Sequence, residues 1–416
     1  MKQLERNKSD SFKKFLVRMI KLPFGLLFLL SRFFPKKHDL WVFGSHTGDS
    51  FRDNGKYFFL YIANHHPEIN AIWITKNKFV LKELKMLGYK VYHKWSLKGI
   101  YLCLRAKVVI YDFLLAGINQ YAVNGIEVQL WHGLGVKKVG FDNLKRRELL
   151  ESSGLKGLRN RILYPYLLKK PSWVLAVSPK LVDFHVSAFG IEKDKVLPFG
   201  YPRNDVFFEN IKGMEIGTDM KLLEVIQQKK REGKKILIYM PTFRDTGDIL
   251  LEDIFDFDYL NNKLEEMNAV MIVKYHELST MAKYLQKRGN ILTHILVCDP
   301  LSDSYPLLPY VDLLISDYST IFYDFVLLDK PMLFYIYDYD KYVKEDRELY
   351  IDLKTTLPGE IVTTFSSLMD KIGLILDKNI DSTKDKRAEM NNFYHPYLDG
   401  GYSKKLYAFL EEKLTK

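Results

Sequence analysis

The chain has 416 residues, room for two domains of ordinary size, and its 47% hydrophobic content with 27 Phe and 27 Tyr excludes a disordered chain. Its two cysteines, Cys103 and Cys298, argue against a disulfide framework or a cysteine zinc site and for a reducing, cytosolic setting. The net charge of +11 is local: residues 1–37 carry ten Lys or Arg against Glu5 and Asp10, a net +8, so the body is close to neutral and nucleic acid is not an expected partner.

In that basic arm, Phe12, Phe15, Leu16, Met19 and Ile20 recur at helical spacing, and Leu22 to Leu30 is apolar through Pro23 and Gly25. A helix needs about twenty apolar residues to cross a bilayer, so the pattern suits a helix lying in an anionic membrane surface. A secretory signal shares the basic start and apolar run, but Arg32, Phe33, Phe34, Pro35 and Lys36 offer no small-residue cleavage site.

Beyond the arm, short β-rich runs alternate with helical stretches. Strands are expected at Leu40–Phe43, Ala71–Thr75, Lys90–Tyr92, Lys107–Tyr111, Glu127–Leu130, Trp173–Val177 and Lys195–Pro198. A polar stretch over residues 210–234 reads as a linker with a helix. A second series follows at Lys235–Met240, Val270–Val273, Ile295–Cys298, Val311–Ile315 and Met332–Tyr337, and a helical tail closes the chain, broken at His395-Pro396 and Asp399-Gly400-Gly401. Strands alternating with helices call for parallel sheets covered on both faces, so the fold class is α/β with two Rossmann-like, doubly wound domains. The domains are expected at 38–209 and 210–385, between an arm of residues 1–37 and a tail of 386–416. Ligands of such sheets bind at the carboxyl ends of the strands, so chemistry is expected in the cleft between the lobes.

Several polar groups follow strand ends. His132 lies just past one strand, with Gly133, Lys137 and Lys138 behind it; Thr242 and Arg244 follow the first strand of the second domain, and His276 the strand after that. In Tyr310–Pro331 an apolar run meets the turn Ser316-Asp317-Tyr318, and Ser319 is expected to cap a helix whose unpartnered N–H groups would accept a phosphate, with Thr320 beside it. Arg and a helix start suit the phosphates of a nucleotide donor, and a neutral His suits proton removal from a hydroxyl. Neither GxxxxGK[ST] nor GxGxxG occurs, which argues against ATPase and dehydrogenase readings. Asp338-Tyr339-Asp340 has no accompanying carboxylate cluster, so no metal is expected there.

Trp131-His132-Gly133 with Lys137 to Asp142, Gly200-Tyr201-Pro202-Arg203-Asn204-Asp205, Pro241 to Asp245, Ser316 to Thr320, and Leu327 to Pro331 together resemble the CDP-glycerol glycerophosphotransferase family of teichoic acid synthesis. The resemblance runs from about Leu40 to Ser403. It implies a glycosyltransferase-B-like fold, peripheral attachment at the cytoplasmic face of the membrane, and cofactor-free, metal-independent transfer of an alditol phosphate from a CDP-alditol to a lipid-linked acceptor, an undecaprenyl-diphosphate-linked saccharide. By motif, the base corresponds to His132 and a phosphate-side histidine to His276, although Glu277 stands where the family usually has Pro. The donor pyrophosphate is expected at Arg244, Ser319 and Thr320 with Thr242, Ser316 and Asp317 beside them, and cleft or acceptor contacts at Gly133, Lys137, Lys138, Arg203 and Asn204. CDP-glycerol is the expected donor, with CDP-ribitol and nucleotide sugars as alternatives. Leu155 to Lys170 carries five basic residues and no acid, a candidate face for anionic lipid or the acceptor's pyrophosphate.

Overall fold

The computed structural model describes residues 23–113, 115–133, 139–142, 153–164, 166, 169–242, 244, 254–275, 285, 288, 291–346, 356–395 and 397–415. The chain divides into two compact units: Met1–His132, Val139–Ala176 and Val182–Leu197 make the first; Gly133–Lys138, Val177–Leu181 and Pro198–Lys416 make the second.

In the first unit, β1 (Lys37–Gly44), β2 (Asn70–Thr75), β3 (Val91–His93), β4 (Ala106–Tyr111), β5 (Ile126–Gln129), β6 (Trp173–Leu175) and β7 (Val196–Leu197) form one sheet in the order β3-β2-β1-β4-β5-β6-β7. Every pairing is parallel. Among the described residues its α-helices are α1 (residues 23–31), α2 (Asp53–His65), α3 (Lys78–Met86), α4 (Leu97–Arg105), α5 (Gly154–Leu163) and α6 (Val182–Phe189). Ser96 opens α4 by accepting the Gly99 N–H at 3.0 Å.

The second unit has β8 (Lys235–Met240), β9 (Ala269–Val273), β10 (Ile295–Val297), β11 (Leu313–Ser316), β12 (Met332–Tyr335) and β13 (Glu360–Val362), parallel throughout, in the order β10-β9-β8-β11-β12-β13. Its helices include α7 (Met220–Arg231), α8 (Phe257–Glu266), α9 (Ile321–Phe325), α10 (Phe365–Leu376), α11 (Lys384–Tyr394) and α12 (Tyr402–Thr415). The expected α/β class and both sheets are present. The sequence reading missed β13, a three-residue edge strand with too few apolar residues to stand out.

Central strands are covered on both faces and read as unbroken apolar runs: β9 is AVMIV, buried at every position. In each sheet the chain starts in the middle, builds outward to one side and then crosses to the other. The crossing lies between β1 and β4 in the first sheet and between β8 and β11 in the second. Loops leaving these strand pairs diverge, and the gap between them is where such sheets hold ligands.

Candidate functional site

In the first unit the loops after β1, β4 and β5 converge on His132. Gln129, the last residue of β5, uses its side-chain amide twice: Nε2 donates to the Phe113 carbonyl at 2.8 Å, and Oε1 accepts the Trp131 N–H at 3.0 Å. This bracket ties the loop after β4 to the loop after β5. Trp131 takes φ 57°, a left-handed conformation costly for a bulky residue, and its carbonyl accepts the Asn54 Nδ2 at 2.8 Å. The kink turns His132 back over the sheet end. There its Nδ1 lies 3.1 Å from the Asp112 carbonyl oxygen, and the Phe113 ring stands edge-on to the imidazole at 4.9 Å. A carbonyl can only accept, so the neutral ring carries its proton on Nδ1 and its lone pair on Nε2. That is the tautomer a general base needs.

Beneath the histidine, Asp112 is buried and accepts the His46 N–H at 2.8 Å and the Gly55 N–H at 3.1 Å. Burial, and next the charge of Asp53, push this carboxyl well above the usual range. Gly55 must be glycine: a Cβ there would lie 2.9 Å from the Gly44 carbonyl oxygen and 3.0 Å from Asp112 Oδ2. His46 stacks on the other side of Phe113, ring centres 5.4 Å apart. Beside Trp131 lies a cavity of about 60 Å³, lined by Phe113, Gln129, Phe141, Tyr166 and Lys169 among others.

In the second unit the loops after β8 and β11 are joined by charge. Asp317, fully buried, accepts the Thr242 N–H at 2.8 Å and pairs with Arg244 Nη1 at 2.9 Å. Asp338 holds the same guanidinium in a fork, Nε to Oδ2 at 2.8 Å and Nη2 to Oδ1 at 3.0 Å. The rings of Tyr318 and Tyr342 lie 4.9 and 5.0 Å from the guanidinium carbon. Burial works against the charge, but Asp317 and then Asp338 outweigh it and bind the Arg244 proton more firmly than usual. Ser316 Oγ donates to the Met240 carbonyl at 2.9 Å. Thr320, not Ser319, occupies the N-cap position of α9, and no side-chain cap hydrogen bond is made there among the described residues. Ser319 and Thr320 are half-buried, whereas Ser316 and Asp317 are sealed. Gly133 is in this unit; its carbonyl accepts the Tyr201 hydroxyl at 3.1 Å, and a Cβ on it would lie 3.3 Å from Thr320 Oγ1.

Several of the residues expected at the site make contacts within the fold. Arg244, expected at the donor phosphates, is 3% exposed and pairs with two carboxylates, a contact that braces the turn. Ser316 and Asp317 likewise bond to backbone groups of the loop after β8. Arg203 and Asn204, expected as cleft or acceptor contacts, are buried on Asp324: Arg203 Nη2 at 2.6 Å and Asn204 Nδ2 at 2.9 Å, with the Tyr305 hydroxyl as a third donor at 2.6 Å. The next residue, Asp205, accepts the N–H groups of Tyr402 and Ser403 at 2.8 and 3.0 Å and fastens α12. Lys274, at the end of β9, donates to the Ser302 carbonyl at 2.8 Å, so it also serves the fold. In 155–170, Lys169 turns inward onto buried Glu127. His276, Lys137, Lys138, residues 1–22 of the arm, and the side chains of Lys156, Arg159 and Arg161 lie outside the described residues.

Sequence reasoning overlooked His46, Asp112, Phe113 and Gln129. Ser45-His46 follows β1 as directly as His132 follows β5, so the strand-end rule that found one would have found the other.

Residues 26–412 match the family described as CDP-glycerol:poly(glycerophosphate) glycerophosphotransferase. The chain is 28% identical to a teichoic acid glycerol-phosphate transferase of Staphylococcus aureus (strain NCTC 8325 / PS 47), over 93% of this chain and 94% of that one. It is also 28% identical to a teichoic acid ribitol-phosphate primase of Bacillus spizizenii (strain ATCC 23059 / NRRL B-14472 / W23), over 97% and 99% respectively. It spans about half the length of several longer staphylococcal polymerases. Its fold superimposes on the wall teichoic acid polymerase TagF with a TM-score of 0.74 over 98% of both chains, at 22% identity. The chain belongs to the CDP-glycerol:poly(glycerophosphate) glycerophosphotransferase family, the transferases of teichoic acid synthesis.

Proposed function

We propose that this protein transfers glycerol phosphate from CDP-glycerol to a hydroxyl of a lipid-linked acceptor, an undecaprenyl-diphosphate-linked saccharide, at the cytoplasmic face of the membrane. The observation that carries the reading is the pinned tautomer of His132, which presents a basic nitrogen at the carboxyl end of a parallel sheet. The acceptor oxygen attacks the β-phosphorus of CDP-glycerol, a P–O bond forms as the P–O bond to CMP breaks, and the hydroxyl proton passes to His132 Nε2. The aromatic cavity beside Trp131 takes the end of the acceptor. In the second unit, Ser319, Thr320 and the first N–H groups of α9 receive the donor phosphates, and Arg244 keeps that turn in shape from behind. His276 acts on the phosphate side. No metal takes part, so activity persists in excess chelator.

The basic arm keeps the enzyme on an anionic membrane surface. No helix among the described residues is long and apolar enough to cross a membrane.

Incubation with a synthetic lipid-linked disaccharide and CDP-glycerol, with the product weighed by mass spectrometry, tests the reaction: a gain of glycerol phosphate with release of CMP is expected. A second reading, CDP-ribitol as donor, is favoured by the equal identity to a ribitol-phosphate primase. Offering CDP-glycerol, CDP-ribitol and UDP-sugars in parallel separates the readings by which nucleotide is released. Release from a UDP-sugar alone would refute both.

A further inference from the structure

Asp112 and Phe113 are the hub of the first unit's site, and their groups reach two other loops. The Asp112 carboxylate accepts the His46 N–H from the loop after β1, and its carbonyl oxygen meets His132 Nδ1 from the loop after β5. The Phe113 ring touches both imidazoles. His46 lies flat on it, 17° from parallel with centres 5.4 Å apart, and His132 packs against it at 71° and 4.9 Å. Loops leaving β1 and β4 diverge, so this stack bridges a gap that such sheets ordinarily leave to a ligand.

The backbone at His46 is held as firmly as its ring. Its φ is 51°, in the left-handed region. Among the described residues six non-glycine residues have a positive φ; Asn268, Asp329 and Asn379 follow helical turns, where Asn and Asp take that conformation at little cost. The other three are grouped about Asp112: His46, Trp131 just before His132, and Asp53, which opens the helix whose Gly55 N–H the carboxylate accepts. Gly117 lets the loop come close, since a Cβ there would lie 2.9 Å from the His46 carbonyl oxygen. Two residues on, the Gly48 carbonyl accepts the Thr75 hydroxyl at 2.8 Å and the Lys76 N–H at 2.9 Å, which fastens the loop to the end of β2. Strained backbone persists only where its surroundings enforce it, and it gathers at sites where a side chain must be held in one place. The side chain held here is His46, and what it meets is the ring beside the base.

We propose that His46 is a positioning residue for the transfer: its imidazole backs the Phe113 ring, and through that ring it fixes the direction and the tautomer of His132. The role rests on His132 as the base in the function proposed above, and it brings in a second histidine that acts without touching the acceptor. Two contacts aim His132, the Asp112 carbonyl and the Phe113 ring. Loss of His46 leaves the first and loosens the second, so the imidazole gains orientations in which Nδ1 no longer donates to Asp112 and Nε2 no longer carries the lone pair.

The test uses the full chain. His46→Asn removes the ring and puts in a residue that accepts left-handed backbone, so the loop keeps its shape. Its kcat is expected to fall roughly three- to ten-fold, the worth of one aromatic contact, while KM for acceptor and for CDP-alditol stays put. Made in the His132→Ala protein, the same substitution should have no further effect, because the group it directs is gone. An equal fall in both backgrounds overturns the proposal, as does an unchanged kcat. A rise in acceptor KM at constant kcat also overturns it and makes His46 an acceptor contact. Phe113→Leu breaks the same link with the loop after β1 intact, and should reproduce the loss; normal turnover in that variant overturns the link. A second readout needs no substrate. With isotope-labelled histidine, the nitrogen resonances of His132, assigned by their loss in His132→Ala, should report the Nδ1-protonated tautomer in the unaltered chain and a several-fold larger share of the Nε2-protonated form in His46→Asn. An unmoved tautomer overturns the positioning role. Normal turnover of His132→Ala itself would remove the base, and the tautomer readout would still decide for or against His46.

Discussion

The two units solve one construction problem with different materials. Each must hold the loops that diverge from the centre of a parallel sheet. The first does so around His132 with neutral groups: the amides of Gln129 and Asn54, the Asp112 carbonyl and the Phe113 ring. The second does so with ions: Arg244 between Asp317 and Asp338, and Arg203 on Asp324. The difference decides what each loop can still do. A neutral clamp gives the imidazole a fixed direction without adding charge beside it, whereas a buried ion pair sets the charges of its motif against one another. A charged residue at a strand end is therefore a ligand candidate only after its burial is known.

The sharpest way to break the comparison is to remove the group that the neutral clamp positions. His132→Ala should lower turnover by about 10² to 10⁴, the range for a lost general base, with the fold intact by circular dichroism. Near-normal turnover would take His132 out of that role. In the second unit the same logic expects loss of stability ahead of chemistry. Asp324→Ala strands a buried guanidinium, at a cost of about 3–5 kcal/mol, read from the denaturant midpoint. If instead Asp324→Ala kept its midpoint and only raised the KM for donor or acceptor, Arg203 would be a ligand residue after all.

A smaller effect is expected from pH. The Asp112 carboxyl, ordinarily near 4, is pushed up to about 7 in the fold by burial and then by Asp53. The unfolded chain therefore releases this proton first, and the stability the group contributes is present below about pH 4 and lost as pH rises through about 7. The slope is at most about 1.4 kcal/mol per pH unit for one proton. Asp112→Asn should flatten that part of the stability profile; an unchanged profile would assign the slope to other groups. The mildest change sharpens the clamp itself. Gln129→Leu leaves the Phe113 carbonyl and the Trp131 N–H unpartnered, costing about 1–3 kcal/mol, and should lower kcat while the KM for the CDP-alditol stays put. A shift confined to KM would contradict a positioning role.

Much of this molecule is legible in one dimension. Runs such as AVMIV and KILIYM bury both faces of a parallel strand, so they betray the two sheets and their alternation with helices without any knowledge of contacts. The position of His132 beyond such a run follows as well, because strand ends are where parallel sheets present side chains. Periodicity could not reveal Glu360–Val362, too short to carry a pattern, nor could it separate Thr320 from Ser319 as the N-cap.

The uses of particular side chains lay beyond that reach. Asp112 acts on His132 through a carbonyl oxygen, and Gln129 acts through both ends of an amide; each contact exists because β4 and β5 lie side by side in the sheet, although a loop separates them in the chain. Arg203 and Arg244 have the same charge whether they meet a phosphate or a carboxylate, and only their enclosure, beside Asp324 and between Asp317 and Asp338, picks the partner. Local sequence sets what a residue can do, through its shape and charge. Which of those capacities is used depends on what comes within about 3 Å of it, and long-range packing alone arranges that.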